Sequence, residues 1–465
     1  MQSYSPFSKA FRDLQPADLQ RLKQASEGWY IEYKREVPNA SALAKALSAF
    51  ANTYGGWLFL GVQEESKESP VAGSFPGISK DEVDPALQRM RKSAADSLNP
   101  TPHFDTCVLW GPDASIDLAQ DRAVICAWIP QSVTAPHIHK SGHIYRRVAD
   151  SSEPRPENDR FVLDQLWRRA DAIKRHHKEW YDQDPEFSER EEELPYVRLM
   201  LVADRWAERD VWLEESEDEV RALLSEPSGV SVIPFDTVHT SSDGFIARQL
   251  KGNDPQNLTL TWRLRRDLTS DVIIPLPLYQ RDRPENLSID LNGYEYAENF
   301  MGVLGKYTTS ILRVVDLNYL FNILTGVAGI QDRLCELAGW KESYFLKVKV
   351  LNAWRNMPFI DVQEIIQRFD KFGPPMCLDS VAHLPRGTGP ENYVEISRHS
   401  DMDNETARML VQSLLMFHPL AVLFGVPSWI PHDDNDTVTP YHKALQAAGR
   451  RAIEVQRRRK SRTTR

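Results

Sequence analysis

Residues Glu27–Glu65 read EGWYIEYKREVPNASALAKALSAFANTYGGWLFLGVQEE, and three successive patterns are legible in them. Tyr30 to Lys34 alternate, so in a strand Tyr30, Glu32 and Lys34 share one face while Ile31 and Tyr33 share the other. A carboxylate and an ammonium then stand side by side. From Asn39 or Ser41, both helix-capping residue types, Leu43, Ala46, Leu47 and Phe50 follow at i, i+3, i+4 and i+7, which predicts an amphipathic helix ended by Gly55-Gly56. Trp57 to Val62 is a continuous apolar run of the length of a buried strand, and Gln63-Glu64-Glu65 follow at once. Strand, helix and strand at this spacing make a crossover unit, normally right-handed, with its strands parallel or nearly adjacent. That geometry brings Glu64, at the end of the second strand, toward Glu32 and Glu27.

Three carboxylates with one lysine form a hard-oxygen set that suits Mg²⁺ or Mn²⁺ rather than zinc. Such a cation lowers the pKa of a bound water and neutralises phosphodiester charge during in-line displacement, with Lys34 as a second positive group. Read as bare residues, a Glu and a Lys two apart on a strand are more often a solvated ion pair.

The pattern Glu27-x4-Glu32-Tyr33-Lys34, then Ser48-Ala49-Phe50-Ala51-Asn52-Thr53-x-Gly55-Gly56-x-Leu58-x-x-Gly61-Val62, resembles the Schlafen AlbA_2 domain family. Pro136-His137 and the run Gly142-x-Ile144-Tyr145-Arg146-Arg147 are similar to that family's closing strand with its Tyr-x-Arg element. The resemblance covers about residues 15–175. It implies one of two functions. In vertebrate Schlafens the domain is a metal-dependent endoribonuclease acting on tRNA and rRNA. Its acidic triad falls here on Glu27, Glu32 and Glu64, which would be catalytic residues and ligands of Mg²⁺ or Mn²⁺, with Lys34 matching the motif's lysine. In many bacterial relatives the domain is described as a DNA-binding module of regulators. Two departures stand out. The third acid is Glu rather than the usual Asp, one methylene longer. The vertebrate proteins also join two related lobes into a clamp with a Cys/His zinc site, whereas one lobe and no such site are visible here, which implies a homodimer.

Other groups extend the nucleic-acid reading. Arg146 and Arg147 are adjacent, so in a strand they face opposite sides, and Arg147, at the Tyr-x-Arg position, is expected to reach a phosphate. Lys45 and the Arg91-Lys92 pair would add to a positive groove, or lie on solvated helix surfaces. His137, His139 and His143 read as zinc ligands, as stacking groups, or as a polar loop before a strand.

Beyond this stretch, 465 residues, 53.3 kDa, 41% hydrophobic and 26% charged residues and a mean hydropathy of −0.47 exclude a disordered or fibrous chain. The four cysteines lie far apart with no CxxC, which leaves out a disulfide framework or a cysteine-rich zinc site. A transmembrane helix and a signal-peptide layout are not legible, so a cytoplasmic protein without a membrane partner is expected. The net charge of −10 is uneven: 0 over residues 1–180, −17 over 181–449 and +7 over 450–465. Nucleic acid, if bound, is therefore expected at the ends.

The fold class read from the sequence is α+β. An AlbA_2-type α/β domain spans 1–178, an acidic linker 179–195, an α+β region 196–448 and a basic tail 449–465. Strand-like runs occur at Val197–Ala203, Val230–Pro234, Leu258–Leu264 and Ile273–Leu278, and a helix near Glu217–Leu224. Residues 294–352 and 361–370 read as mostly helical, and Asp403-Asn404-Glu405 opens a helix to about Phe417. This second region is expected to bind a regulatory protein or ligand. The first functional expectation is a divalent-metal-dependent endoribonuclease cleaving structured RNA such as tRNA, controlled within host anti-phage defence; the alternative is a non-catalytic DNA- or RNA-binding domain of a transcriptional regulator.

Overall fold

The computed structural model describes residues 4–463 except 8, 10, 149–150, 207–210, 214–215, 226–234, 308–310, 399–404 and 427–439. The chain divides into two compact units, one ending at Trp180 and one formed from Tyr181 onward, with Trp206 grouping with the first. Both mix helices and sheets, as the α+β class requires.

In the first unit the crossover is β1 (Ile31–Lys34), α1 (Ala40–Asn52) and β2 (Gly56–Leu60). Asn39 caps α1, its side chain accepting from the Ala42 N–H at 3.0 Å. β1 and β2 are parallel, with Glu32 beside Leu58 and Lys34 beside Leu60. There follow β3 (Gln63–Glu64), β4 (Ala72–Ser74), β5 (Ile78–Ser79), α2 (Lys80–Ser97), β6 (Leu98–Asn99), β7 (Asp105–Trp110) and β8 (Arg122–Ile129). Then come β9 (Ile138–His139), β10 (Tyr145–Val148), β11 (Ser151–Pro156) and α3 (Arg160–Asp182). The main sheet runs β1-β2-β8-β5 with β7 on β8, and β10 and β11 form a hairpin of their own.

Alternation along β2 makes two cores. Leu58 and Leu60 face Leu43, Leu47 and Phe50 of α1 and Met90 of α2, while Trp57 and Phe59 face Leu19 and Leu22 of a 3-10 helix at Pro16–Gln24. The sheet is thus covered on both faces, which is why Trp57–Leu60 reads as one apolar run.

The second unit comprises β12 (Tyr196–Val202), α4 (Glu217–Ser225), β13 (Thr237–Thr240), β14 (Gly244–Arg248), β15 (Thr261–Arg265), β16 (Ser270–Pro275), β17 (Leu278–Arg281), α5 (Ala297–Leu304), β18 (Leu312–Asp316) and α6 (Asn318–Leu337). It continues with β19 (Tyr344–Leu351), β20 (Met357–Phe359), α7 (Gln363–Phe372), β21 (Val381–Leu384), β22 (Val394–Ile396), α8 (Glu405–Leu423) and α9 (Pro440–Thr463). An eight-stranded sheet is ordered β13-β14-β15-β16-β12-β19-β21, with β22 also on β19; β17, β18 and β20 form a second sheet.

Four expectations change. The stretch 294–352 is not mostly helical, because β18 and β19 interrupt it and β19 is a central strand. The acidic segment 179–195 is not a free linker: Asp184 lies 2.6 Å from Lys349 and 3.2 Å from Arg198, and Glu191 accepts from the Ser188 N–H at 2.9 Å. The Asp184 charge is spent on two cations of the second unit. The basic tail is not a separate end: from Pro440 it is helical, Ala452 and Val455 are buried, and Arg451 lies 2.8 Å from Glu295. Finally, α8 contains a stretch, Thr406–Leu423, long and apolar enough by length and composition to cross a membrane; half of it is buried, and Phe417 meets Phe321 of α6 at 5.7 Å, as a core helix does. The Val230–Pro234 run and Asp403-Asn404 lie outside the described residues.

Candidate functional site

Glu32 sits in the middle of β1 and is 3% exposed. One carboxylate oxygen lies 2.7 Å from Nη1 of Arg147, on β10, and the other 2.9 Å from Nζ of Lys34, two residues along the same strand face. Arg147 is 1% exposed. Its Nε donates to the Gly28 carbonyl at 3.0 Å, its Nη2 to that of Ile31 at 3.2 Å, and its guanidinium lies 4.7 Å from the Phe50 ring centre. Burial pulls its pKa down while the charges of Glu32 and Glu27 push it up, and it stays a cation. Arg147 is therefore paired with Glu32 in the interior, where the sequence reading has it reaching a phosphate at the surface.

The motif Phe50-Ala51-Asn52-Thr53 builds this arrangement. Asn52 donates to the carbonyls of His137 at 3.1 Å and Tyr145 at 3.0 Å, and accepts from the His137 N–H at 2.7 Å. Thr53 donates its hydroxyl to the Ala49 carbonyl at 2.7 Å and accepts from the Arg147 N–H at 2.9 Å. The end of α1 thus clamps the strand carrying Arg147, and the Phe50 ring backs its guanidinium. Gly55 has φ +73°, and a Cβ there would meet the Gln131 nitrogen at 2.7 Å, so only glycine fits.

Glu27 is half-buried, and its carboxylate accepts from the Tyr33 N–H. Burial raises its pKa, the Tyr33 N–H and Lys34 oppose this, and the charges of Glu32 and Glu64 add to the rise. Glu64 occupies the two-residue β3, half-exposed, held near by the Lys34 carbonyl, which accepts from Gly61 N–H at 2.8 Å and Val62 N–H at 3.1 Å. The crossover thus draws Glu27, Glu32, Glu64 and Lys34 into one neighbourhood. The carboxylates do not form a metal cage: no group of three His, Cys, Asp or Glu is placed to hold an ion among the described residues, and both Glu32 oxygens already face cations. As arranged, the residues do not fit Mg²⁺ or Mn²⁺.

Of the other residues expected to meet nucleic acid, Lys45 is partly exposed, with its Nζ 5.2 Å from the Tyr145 ring centre, and Arg91 and Lys92 are exposed on α2. Arg146 is half-buried, 2.8 Å from Glu157. His137 donates from Nδ1 to the Pro100 carbonyl at 2.6 Å and His139 lies 2.8 Å from the Ser141 hydroxyl; burial lowers both pKa values. His143 is exposed beside the same hydroxyl at 3.1 Å. The three histidines are held by hydrogen bonds in and beside β9, and among the described residues no group of three is placed to hold a metal. Sequence reasoning missed the Asn52 and Thr53 clamps, although the signal, an uncharged Asn-Thr at a helix end before two glycines, was in view.

Residues 27–156 match the sequence model of the family described as Schlafen, AlbA_2. No curated protein matches the chain. Among solved structures, the DIP2311 protein from Corynebacterium diphtheriae is similar at 16% identity and a TM-score of 0.22, over 37% of this chain and 35% of that one. The chain therefore spans about a third of the length of that neighbour.

Proposed function

We propose that the Schlafen AlbA_2 region is a nucleic-acid-binding domain that holds its ligand through side-chain cations and does not use a divalent metal. The observation that carries this is the double pairing of Glu32 with Arg147 at 2.7 Å and Lys34 at 2.9 Å, which spends the central carboxylate of the acidic triad on protein cations. A buried carboxylate so compensated is a structural anion, costly to disturb. The partly exposed Lys45 and the exposed Arg91 and Lys92 then remain for phosphates. The domain would serve as the DNA- or RNA-binding part of a regulator, with the second unit receiving a regulatory protein or ligand. The test is fluorescence anisotropy of labelled RNA and DNA in EDTA and in Mg²⁺, at about 50 and about 200 mM salt. Affinity that falls steeply with salt and is equal in EDTA and Mg²⁺ supports the reading; affinity seen only with Mg²⁺ contradicts it.

A second reading, an Mg²⁺- or Mn²⁺-dependent endoribonuclease cutting structured RNA such as tRNA, is favoured by one observation: Glu27 feels the charges of both Glu32 and Glu64, so the three acids do approach one another beside Lys34. It requires the cations to release Glu32. Metal-dependent tRNA fragments that disappear in Glu32→Gln are its test.

A further inference from the structure

Four aromatic rings gather where the chain enters β1 and leaves α1. Tyr54 lies 5.5 Å from Trp29 at 63° and 6.2 Å from Tyr30 at 39°, and Tyr30 stacks on Tyr4 at 4.7 Å and 26°. The ring of Tyr54 is spare: the residue is 46% exposed and belongs to neither core of the first unit, whose buried aromatics are Phe7, Tyr33, Phe50, Trp57, Phe59 and Phe75. An exposed aromatic at a rigid turn, its edge fixed by a second ring, is a surface on which another flat group can lie.

Cations border it. Arg169, on α3, donates from Nη2 to the Thr53 carbonyl at 3.0 Å and from Nη1 to those of Ala51 and Ser132 at 3.4 Å each. This anchors its guanidinium next to Tyr54. Arg146 lies close enough to act on it, and burial together with that like charge pulls the Arg169 pKa down to about 10. Arg155 faces Arg146 across the β10–β11 ladder. Glu157 answers Arg146 at 2.8 Å, while Arg155 and Arg169 have no carboxylate partner among the described residues. Three guanidiniums against one carboxylate leave positive charge that an incoming anion would compensate. The alternative role of Arg169, capping the carbonyl end of α1, fixes its position and leaves its charge unmatched by any acid among the described residues.

Resting on the nucleic-acid reading above and sharpening it, we infer that the ligand is taken as a single strand: an unpaired base stacks on the exposed face of Tyr54 against Trp29, and its flanking phosphates lie on Arg169, Arg146 and Arg155. Stacked base pairs hide their π-faces, so a lone ring platform of this kind selects unpaired nucleotides, whatever their sequence. Both RNA and DNA strands carry this chemistry, and the probes below separate them.

The experiment is anisotropy with fluorescein-labelled 12-nucleotide oligo-U and oligo-dT, and with a 12-base-pair duplex of each sugar, on the full chain and on Tyr54→Ala, Tyr54→Phe and Arg155→Gln. All substituted side chains are exposed, so folding is kept, and circular dichroism checks it. Expected are single strands bound at least about tenfold more tightly than duplexes, about a tenfold loss for Tyr54→Ala, near-full retention in Tyr54→Phe, and a salt slope smaller by about one in Arg155→Gln. The better of oligo-U and oligo-dT identifies the sugar. Duplexes bound as well as single strands, or Tyr54→Ala equal to the parent, overturn this inference while leaving the nucleic-acid reading in place; no binding of any of the four probes overturns both.

Discussion

Arg147 and Glu32, 115 residues apart in the chain, meet at 2.7 Å in the interior of the first unit. Three residues of the Phe50-Ala51-Asn52-Thr53 motif serve that meeting: Asn52 and Thr53 clamp the strand bearing Arg147, and Phe50 backs its guanidinium. A motif that resembles a catalytic signature thus has a structural task of its own.

Removing one partner of this pair should be severe. Arg147→Met leaves Glu32 buried with Lys34 alone, and about 3 kcal/mol of stability is expected to go. Adding Glu32→Gln to Arg147→Met should recover part of it. Urea unfolding followed at the first unit's tryptophans measures both; a loss below about 1 kcal/mol would mean that the pair matters little.

Asn52→Ala deletes three hydrogen bonds, two donated to the His137 and Tyr145 carbonyls and one accepted from the His137 N–H. About 3 kcal/mol is expected from these buried groups. Hydrogen exchange should show the His137 amide losing protection; unchanged protection there would contradict the clamp.

Glu27 gives a pH test. Burial raises its pKa in the folded state, with Glu32 and Glu64 adding to it, so below its folded pKa the native chain binds a proton more readily than the unfolded one. Stability contributed by this group is therefore present at low pH and is lost as pH rises through the folded pKa. Glu27→Gln, which keeps the accepting oxygen for Tyr33, should raise the urea midpoint at pH 7.5 and lose that advantage near pH 4. A variant less stable than the parent at pH 7.5 would refute the sign.

How much of this was legible in the sequence depended on the range of the contacts. The β1-α1-β2 crossover was readable because period two, period 3.6 and an apolar run follow one another within 40 residues, and Asn39 marks the helix start. Arg147 read as a phosphate contact because its partner lies in a remote strand, and no local pattern announces a buried ion pair. β19 read as helix since its alternation, Tyr344-Phe345-Leu346-Lys347-Val348-Lys349, places lysines inside. Lys349 is buried against Asp184, and Lys347 donates to the Pro385 carbonyl at 2.6 Å, so polar residues that would mark a solvent face are satisfied within the fold.

The C-terminal helix shows the same principle. Arg451 is 2.8 Å from Glu295, and it also pairs with the fully buried Asp361 at a distance within hydrogen-bond range. Arg451→Leu should cost the second unit about 3 kcal/mol, since Asp361 would be left buried. Thermal unfolding of the variant tests this; an unchanged midpoint would return the segment to the role of a free basic tail.

On the proposed reading, Glu32, the central carboxylate of the acidic triad, is held by Arg147 and Lys34, and the triad does no metal chemistry. The most direct measurement incubates purified protein and Glu32→Gln with total tRNA in EDTA, Mg²⁺ and Mn²⁺, following binding and cleavage together. Intact tRNA is expected in all conditions, with binding insensitive to metal and falling steeply with salt. Discrete fragments that need metal and vanish in Glu32→Gln would contradict it and make the cluster a nuclease site.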